Sequence, residues 1–521
     1  MAPWQPTEGL VGDPSFIRVS LGLLGPQRYR CPARDAMAAR PNLVASVDVQ
    51  RRREILESFT LGPFMAALDL IEHKRFTADQ ALATVKERPR RPIHDGVLQW
   101  TTHAVRGYLD VFPSSANRPM RPVRSRWAYQ SQLSESDDRG ARRYEINVWG
   151  RCYVSSDGHT RELRLIANRL NARSRSDAEI AVAALVVAKG SPGRPPKRVR
   201  ILQFGILEGT AETLFDNTAA AAADMYRLHG KGALASIVDN VEYRPGAACA
   251  DCQFASICPK LPRQPGLLGV PDLGRPRRSW SATNARSYRI CPARDYLRRQ
   301  RLPVDTTIEQ SAAAERGRAV HAFLEQRHRQ ADRKPCDLHL PSDWVPVGYE
   351  LTEDDRGLGA RLLRHHAEIC PLRYANEVKT EPDLAYDDTD ANVVVLAKPD
   401  LLYEERGAWV WREVKTAGSD RRRPADVLLE YPQLAVGIIL VARGAFGLRR
   451  GRVELEVLRP GGADLMTFDP FTDSVRERAE RVLVDQVRAW RADDRFAAAP
   501  GDECRRCEVS RWCSVKAGAA A

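Results

Sequence analysis

Two carboxylates and a lysine stand where they could hold and use a divalent cation: Asp400 in LAKPDLL, and Glu413 with Lys415 in WREVKTAG. Residues 393–403 and 408–415, rich in Val, Leu and Trp and separated by EERG, predict two strands. Strand side chains alternate faces, so Glu413 and Lys415 share one face while Val414 takes the other. With Arg406-Gly407 as a two-residue turn, Asp400 falls directly opposite Glu413. Cross-strand neighbours on one face have Cβ atoms about 4.5–5.5 Å apart, close enough for both carboxylates to hold one ion. Such oxygen donors suit Mg²⁺ or Mn²⁺ better than zinc. The ion would polarise a phosphate and lower the pKa of a bound water. Lys415 would position that water and stabilise developing negative charge. His321, in the predicted helix GRAVHAFLE, adds an imidazole and biases the site toward Mn²⁺; Glu325, one turn on, shares its helix face. Taken singly, a Glu-x-Lys is usually a solvated strand face, and a helical histidine a satisfied structural residue. Specificity comes from the ordered set.

The second chemistry lies in the eleven cysteines. Cys249, Cys252 and Cys258 form C-x2-C-x5-C, and Cys504, Cys507 and Cys513 repeat that spacing. Cys31 and Cys291 each open the pentapeptide Cys-Pro-Ala-Arg-Asp. Cys152, Cys336 and Cys370 fall outside the pattern and read as ordinary buried thiols. Four thiolates can bind either Zn²⁺ or an iron–sulfur cluster. Zinc sites more often pair two close C-x2-C knuckles, whereas here one cysteine is far in sequence from its triplet. Hydrolysis requires no redox step, so the expected role is structural, stapling the two ends of a domain.

The elements that must carry these residues occur twice. CPARD at 31–35 recurs at 291–295, AVAALVVAKG at 181–190 recurs as AVGIILVARG at 435–444, and a cysteine triplet closes each copy. Landmarks in the same order, spaced by roughly 255 residues, indicate a tandem repeat. The expected division is a first domain over 15–260, a Pro/Gly/Arg-rich linker over 261–278 and a second domain over 279–516. In the second copy, residues 312–330 predict an amphipathic helix, and 426–442 a buried helix running into or followed by a strand. GRVELEVLRP reads as a strand and 474–490 as an amphipathic helix. The mixture is α/β, a sheet flanked by helices in each copy. The terminal KAGAAA is expected to fray.

Composition fits these readings. A net charge of +13 and a pI near 9.3 suit a polyanionic partner, because Lys and Arg that neutralise phosphates release counterions. No run reaches the apolar length of a membrane helix, and the N-terminus lacks a secretory pattern, so the expected location is cytoplasmic with no membrane partner. No GxxxxGK[ST] motif is present, so any unwinding must come from a separate ATPase.

The order G-x3-H (Gly317, His321), PD (Asp400), E-x-K (Glu413, Lys415) and then Gln433 in YPQLAVG resembles the RecB-type PD-(D/E)XK nucleases. Cys291 in SYRICPARDYL and the closing C-x2-C-x5-C make it similar to their iron–sulfur branch, which includes AddB-type nucleases and CRISPR-associated RecB-like exonucleases. The resemblance covers about residues 279–515. It implies two restriction-endonuclease-like domains in tandem, each a central mixed sheet flanked by helices and closed by a four-cysteine site. It implies a metal held by His321, Asp400, Glu413 and the Val414 carbonyl, with Lys415 as catalytic lysine and Gln433 as a further site residue. It also implies a [4Fe–4S] cluster on Cys291, Cys504, Cys507 and Cys513, with an equivalent one on Cys31, Cys249, Cys252 and Cys258. The implied activity is an exonuclease on single-stranded or resected DNA in repair, recombination or defence, with a helicase-like ATPase as partner. One position departs from the family: the tyrosine four residues after Gln433 is replaced by Gly437, with Tyr431 the nearest substitute. Laid over the second copy, the first has Tyr153, Ile166 and Asn168 for Asp400, Glu413 and Lys415, Ala66 for His321 and Glu179 for Gln433. Those substitutions predict an inactive first domain. A non-catalytic iron–sulfur scaffold that binds DNA or protein is the competing expectation, and RNA remains open as substrate.

Overall fold

The computed structural model describes residues 4–25, 30–46, 55–87, 90–113, 119–133, 142–170, 175–308, 311–330, 332, 334–420, 424–447 and 450–515. The terminal KAGAAA lies outside them. The chain forms two compact units. Met1–Leu261 with Ile290–Asp305 and Asp494–Ala521 make the first; Pro262–Arg289 and Thr306–Asp493 make the second. These units do not follow the repeat boundaries, because the segments bearing Cys291 and the last triplet pack within the first.

In chain order the first unit's strands are β1 (Phe16–Ser20), β2 (Met120–Val123), β3 (Ala128–Leu133), β4 (Arg142–Asn147), β5 (Arg151–Ser155), β6 (Thr160–Ala167), β7 (Arg198–Gly205) and β8 (Thr210–Thr218). Its helices include α1 (Pro32–Ala38), α2 (Gly62–Lys74), α3 (Asp95–Val111), α4 (Asp177–Lys189) and α5 (Pro292–Arg299). A five-stranded sheet has the order β8-β7-β6-β5-β2, antiparallel except for the parallel β6–β7 pair. A parallel pair needs a crossover, and α4 supplies it. A Ser176–Glu179 capping box starts α4, and every residue from Ala181 to Ala188 is buried. Leu163 and Leu165 of β6 share a core with Val182, Leu185 and Val186 of α4. Each such aliphatic side chain contributes about 1.5–3 kcal/mol on burial. A small sheet, β1-β4-β3, and a two-stranded ladder of Leu10–Val11 with Val44–Ala45 also lie in the unit.

The second unit runs β9 (Arg278–Trp280), α6 (Ala312–His328), α7 (Glu353–Glu368), β10 (Glu377–Thr380), β11 (Leu384–Asp388), β12 (Val393–Ala397), β13 (Leu401–Glu405), β14 (Ala408–Thr416), α8 (Pro432–Ala442), β15 (Gly451–Arg459), β16 (Gly462–Phe468) and α9 (Asp473–Ala492). Its main sheet, β16-β15-β14-β13-β10, is again antiparallel except at one parallel pair, β14–β15. The crossover there is α8, whose residues from Leu434 to Ala442 are all buried. A small sheet, β9-β12-β11, combines one parallel and one antiparallel pair, as β1-β4-β3 does.

Several expectations need correction. The strand predicted over 393–403 is two strands in different sheets, broken at Lys398-Pro399-Asp400, where proline can donate no ladder hydrogen bond. The helix predicted over 426–442 is a short turn, Val427–Glu430, followed by α8 with Pro432 at its first turn. The stretch read as a linker packs into the second unit: Asp388 accepts the Gly266 and Leu268 amides at 2.9 and 2.8 Å, and Leu267 and Leu268 are buried. Its Pro and Gly content reports irregular backbone, not freedom.

Candidate active site

Arg406 (φ 51°) and Gly407 (φ 80°) both adopt left-handed backbone, the requirement of the tight turn that suits a twisted hairpin. This fixes the β13–β14 register, with Leu401 opposite Arg412 and Glu405 opposite Ala408. One step further, Asp400 faces Glu413, as the two-residue turn requires. Asp400 Oδ2 accepts the Val414 amide at 2.7 Å and the Lys415 ammonium at 3.2 Å. Lys415 Nζ also donates to Glu413 Oε2 at 3.0 Å and to the Val414 carbonyl at 2.9 Å. From α6, His321 Nδ1 lies 3.3 Å from Asp400 Oδ1. Gly317 lets that helix come close: a Cβ there would lie 2.9 Å from the Thr416 hydroxyl at the end of β14. His321, Asp400, Glu413, Val414 and Lys415 are therefore together.

Their electrostatics divide the two carboxylates. Burial alone would raise Asp400, but the Lys415 ammonium, His321 and the Val414 amide overcome it and hold Asp400 well below the usual carboxylate range. Glu413 goes the other way. Burial raises it, and the Asp400 charge adds to that effect against the pull of Lys415. Lys415 is desolvated too, yet Glu413 and Asp400 keep it more firmly protonated than a free lysine. The ammonium is a single positive charge sitting among three oxygens: Asp400 Oδ2, Glu413 Oε2 and the Val414 carbonyl. A hard divalent cation takes that kind of donor set, so these residues fit one.

Trp411 was not singled out in the sequence, yet its indole N–H donates to Glu413 Oε1 at 3.0 Å. It also accounts for Gly437. A Cβ on Gly437 would come within 2.9 Å of the Trp411 ring, so no tyrosine fits at this position on α8. Gln433 sits in the first turn of α8, half-buried. Among the described residues it has no hydrogen bond to the carboxylate group.

Residues 279–514 match the PD-(D/E)XK nuclease superfamily. That matched segment, a little under half of the chain, is similar to the superfamily's nuclease domain. Pro399-Asp400 and Glu413-Val414-Lys415 supply the motif of that name. Among solved structures, the chain is similar to a candidate exonuclease from Eubacterium rectale, at 13% identity over 40% of this chain and 79% of that one, with a TM-score of 0.28. It is also similar to SSO0001, at 14% identity over 43% and 95%, with a TM-score of 0.20. No curated protein shows significant sequence similarity to the chain.

Outside the matched segment, the β5–β6 hairpin of the first unit occupies the same place in its sheet as β13–β14 does, beside a parallel pair crossed over by a helix. It corrects one detail of the sequence alignment. Leu163 and Leu165 face α4, and Arg161 donates to the Val187 and Gly190 carbonyls of the same helix, so odd-numbered residues of β6 face the crossover. In β14 the face toward α8 carries Trp411, Glu413 and Lys415. By register and face, Leu165 and Ala167 stand in the positions that Glu413 and Lys415 hold in β14, while Ile166 and Asn168 lie on the other face. Gly150 precedes β5 and stands opposite Leu165 as Asp400 stands opposite Glu413, so it, and not Tyr153, replaces the aspartate. The turn at 156–159 is two residues longer than that at 406–407, so no single offset aligns both strands. No carboxylate occupies these positions in either reading.

Both cysteine sets are gathered within the first unit. Cys31, Cys249, Cys252 and Cys258 line one cavity with Met37, Tyr243 and Phe254. Backbone amides point at the sulfurs, Arg244 to Cys31 at 3.4 Å and Gly246 to Cys249 at 3.3 Å. The second set repeats the device, with Ala499 donating to Cys291 and Gly501 to Cys504, both at 3.4 Å. Burial pushes the Cys249 thiol up to about 11, with the neighbouring sulfurs adding to it, and raises Cys507 and Cys513 as well. Positive metal centres among such sulfurs would reverse that cost. Amide donors and clustered sulfurs suit a cofactor bound through thiolates.

Cys336 and Cys370 are not ordinary buried thiols. They meet His328 and His366, with the four ligand atoms all within 4.8 Å of one another. The sequence held a trace of this in the H-x3-C spacing of His366 and Cys370.

Proposed function

We propose that this protein is a Mg²⁺- or Mn²⁺-dependent DNA nuclease. The observation that carries the reading is the convergence of Asp400, Glu413 and the Val414 carbonyl on one positive charge, with His321 beside them. His321, Asp400, Glu413 and the Val414 carbonyl would hold such an ion, which would supply Lewis-acid polarisation of the phosphate and a more acidic bound water. The chain's residues do the rest. Asp400 is ionised and fixed by the Val414 amide, so its oxygens are oriented in advance. Trp411 holds one oxygen of Glu413 and leaves the other toward the site. Lys415 keeps its proton and offers positive charge to an oxygen of the phosphate as negative charge develops. Gln433 belongs to the proposed site as a contact to the substrate strand.

The substrate assignment rests on the net charge of +13 and on the resemblance to RecB-type nucleases. The same resemblance supports exonuclease action on single-stranded or resected ends in repair, recombination or defence; the missing P-loop motif supports a separate helicase-like ATPase as partner, and a cytoplasmic location is proposed with them. Among the described residues no helix is long and apolar enough to cross a membrane.

Each four-cysteine set is proposed to hold a [4Fe–4S] cluster with a structural role, supported by the clustered sulfurs and their amide donors. The first half is proposed to be a second, inactive copy of the nuclease domain. Its sheets share strand order and direction with those of the second half, and Gly150, Leu165 and Ala167 replace the reacting residues. The test uses anaerobically purified protein and Glu413→Ala on end-labelled single-stranded DNA, in Mn²⁺ and in EDTA. Degradation that needs the metal and disappears in the variant is the expected result. A cluster-loaded wild type that cuts neither DNA nor RNA would leave the non-catalytic scaffold as the better reading.

A further inference from the structure

We infer that His328, Cys336, His366 and Cys370 form a structural zinc site, separate from the nuclease site and from both four-cysteine sets. His328 ends α6, Cys336 lies in the following loop, His366 lies in the last turn of α7, and Cys370 follows that helix. All four are buried.

The distances fit one tetrahedral ion. Zn–S bonds of about 2.3 Å and Zn–N bonds of about 2.0–2.1 Å place ligand atoms on edges of roughly 3.3–3.8 Å. His328 Nε2 lies 3.3 Å from Cys336 Sγ, 3.2 Å from His366 Nε2 and 3.8 Å from Cys370 Sγ. Two sulfurs and two imidazole nitrogens at these separations form the donor set zinc favours in structural sites.

The surroundings complete the arrangement. His366 Nδ1 lies 2.6 Å from Glu456 Oε1, which fixes the proton on Nδ1 and turns the Nε2 lone pair toward the group. Metal-binding histidines are oriented this way by a carboxylate on the other nitrogen. The Cys336 amide points at Cys370 Sγ at 3.4 Å, a donor that favours the thiolate. Binding releases a proton from each thiol and adds a dication, so the buried group stays uncharged, as its burial requires. A cavity lined by Arg327, Cys336 and Leu340 borders the site on one side.

The position of the group sets its role. Glu456 also binds Arg412, the residue before Glu413, and His328 lies two turns along α6 from His321. The ion would tie the helix that presents His321 to the strands that present Glu413. The inference does not depend on catalysis, since its readout is the metal itself.

The test is diffraction from crystals of the zinc-supplemented full-length protein, above and below the zinc absorption edge. An anomalous peak among the four ligand atoms is expected. Its absence, or a Cys336–Cys370 disulfide in its place, overturns the inference in favour of a metal-free hydrogen-bonded chain. In solution, metal counting on anaerobically prepared protein should show about one zinc per chain fewer in His328→Ala than in wild type, with His328→Cys restoring it. Equal zinc in the wild type and a folded His328→Ala would also overturn the assignment.

Discussion

The Trp411 indole N–H donates to Glu413 Oε1 at 3.0 Å from two residues earlier on the same strand face. One carboxylate oxygen is thereby committed to the protein and the other left toward the site. A hydrogen bond to a charged group contributes about 1.5–3 kcal/mol, roughly a 10- to 100-fold effect on an equilibrium. Trp411→Phe removes the N–H and keeps an aromatic ring over Gly437. It should weaken Mn²⁺ binding by that factor, measured by calorimetry, with DNA cleavage falling in parallel at limiting metal. Unchanged Mn²⁺ affinity would remove Trp411 from the site.

Lys415 and Glu413 should separate binding from chemistry. Lys415 neutralises two carboxylates, so Lys415→Ala should leave Mn²⁺ affinity unchanged or tighter. Cleavage should nevertheless fall about 100-fold or more, because charge stabilisation in the transition state is lost. Glu413→Ala should lose both. A Lys415→Ala variant that cuts at the wild-type rate would show that the lysine only counterbalances the carboxylates.

The pH dependence follows from the raised pKa of Glu413. Folded, the group holds its proton more tightly than its ordinary value of 4.5 allows when unfolded. Its contribution to the stability of the metal-free protein is therefore complete below that value and is lost as pH rises through the folded pKa. Metal binding needs the ionised form, so Mn²⁺ affinity should climb as pH rises through that same folded pKa. Calorimetry across this range should show the climb in wild type and a flatter profile in Glu413→Gln. Asp400, already ionised, contributes little to the slope.

Arg412 is wholly buried between Glu454, at 2.7 Å, and Glu456, at 3.2 Å. Arg412→Leu would strip the guanidinium from both buried carboxylates, leaving Glu454 to Arg452 and Tyr403 and Glu456 to His366. Removing one member of a buried ion pair costs about 3–5 kcal/mol. Urea unfolding of the second unit's signal should shift by that amount. A shift under about 1 kcal/mol would mean that the glutamates take up protons and tolerate the loss.

The two proposed clusters can be counted independently. Cys291→Ser should lower iron by about four atoms per chain, and Cys31→Ser by a similar number, when the protein is prepared without oxygen. Iron unchanged in Cys31→Ser would leave the first set as free thiols.

The sequence determined whatever depends on neighbours along the chain. Arg406-Gly407 between two apolar runs is a local signal, and it placed Asp400 opposite Glu413 because turn length alone sets a hairpin register. The buried α8 and the amphipathic α9 were legible from periodicity, and the cysteine spacing marked the sulfurs that gather in two sets. Tertiary structure decided what depends on contacts across long sequence separations. Pro399 broke a continuous apolar run because its two halves enter different sheets. The turn at 156–159 is two residues longer than its counterpart, and only the packing of β6 on α4 showed that the alignment had slipped to the wrong face. Gly437 looked like a lost tyrosine until the Trp411 ring was found against it. His328, Cys336, His366 and Cys370 come from two helix ends and the segments that follow them, and the H-x3-C spacing of His366 and Cys370 records only half of that convergence. Local backbone preference and periodicity are written in neighbouring residues, whereas burial against a distant element depends on the folded chain as a whole.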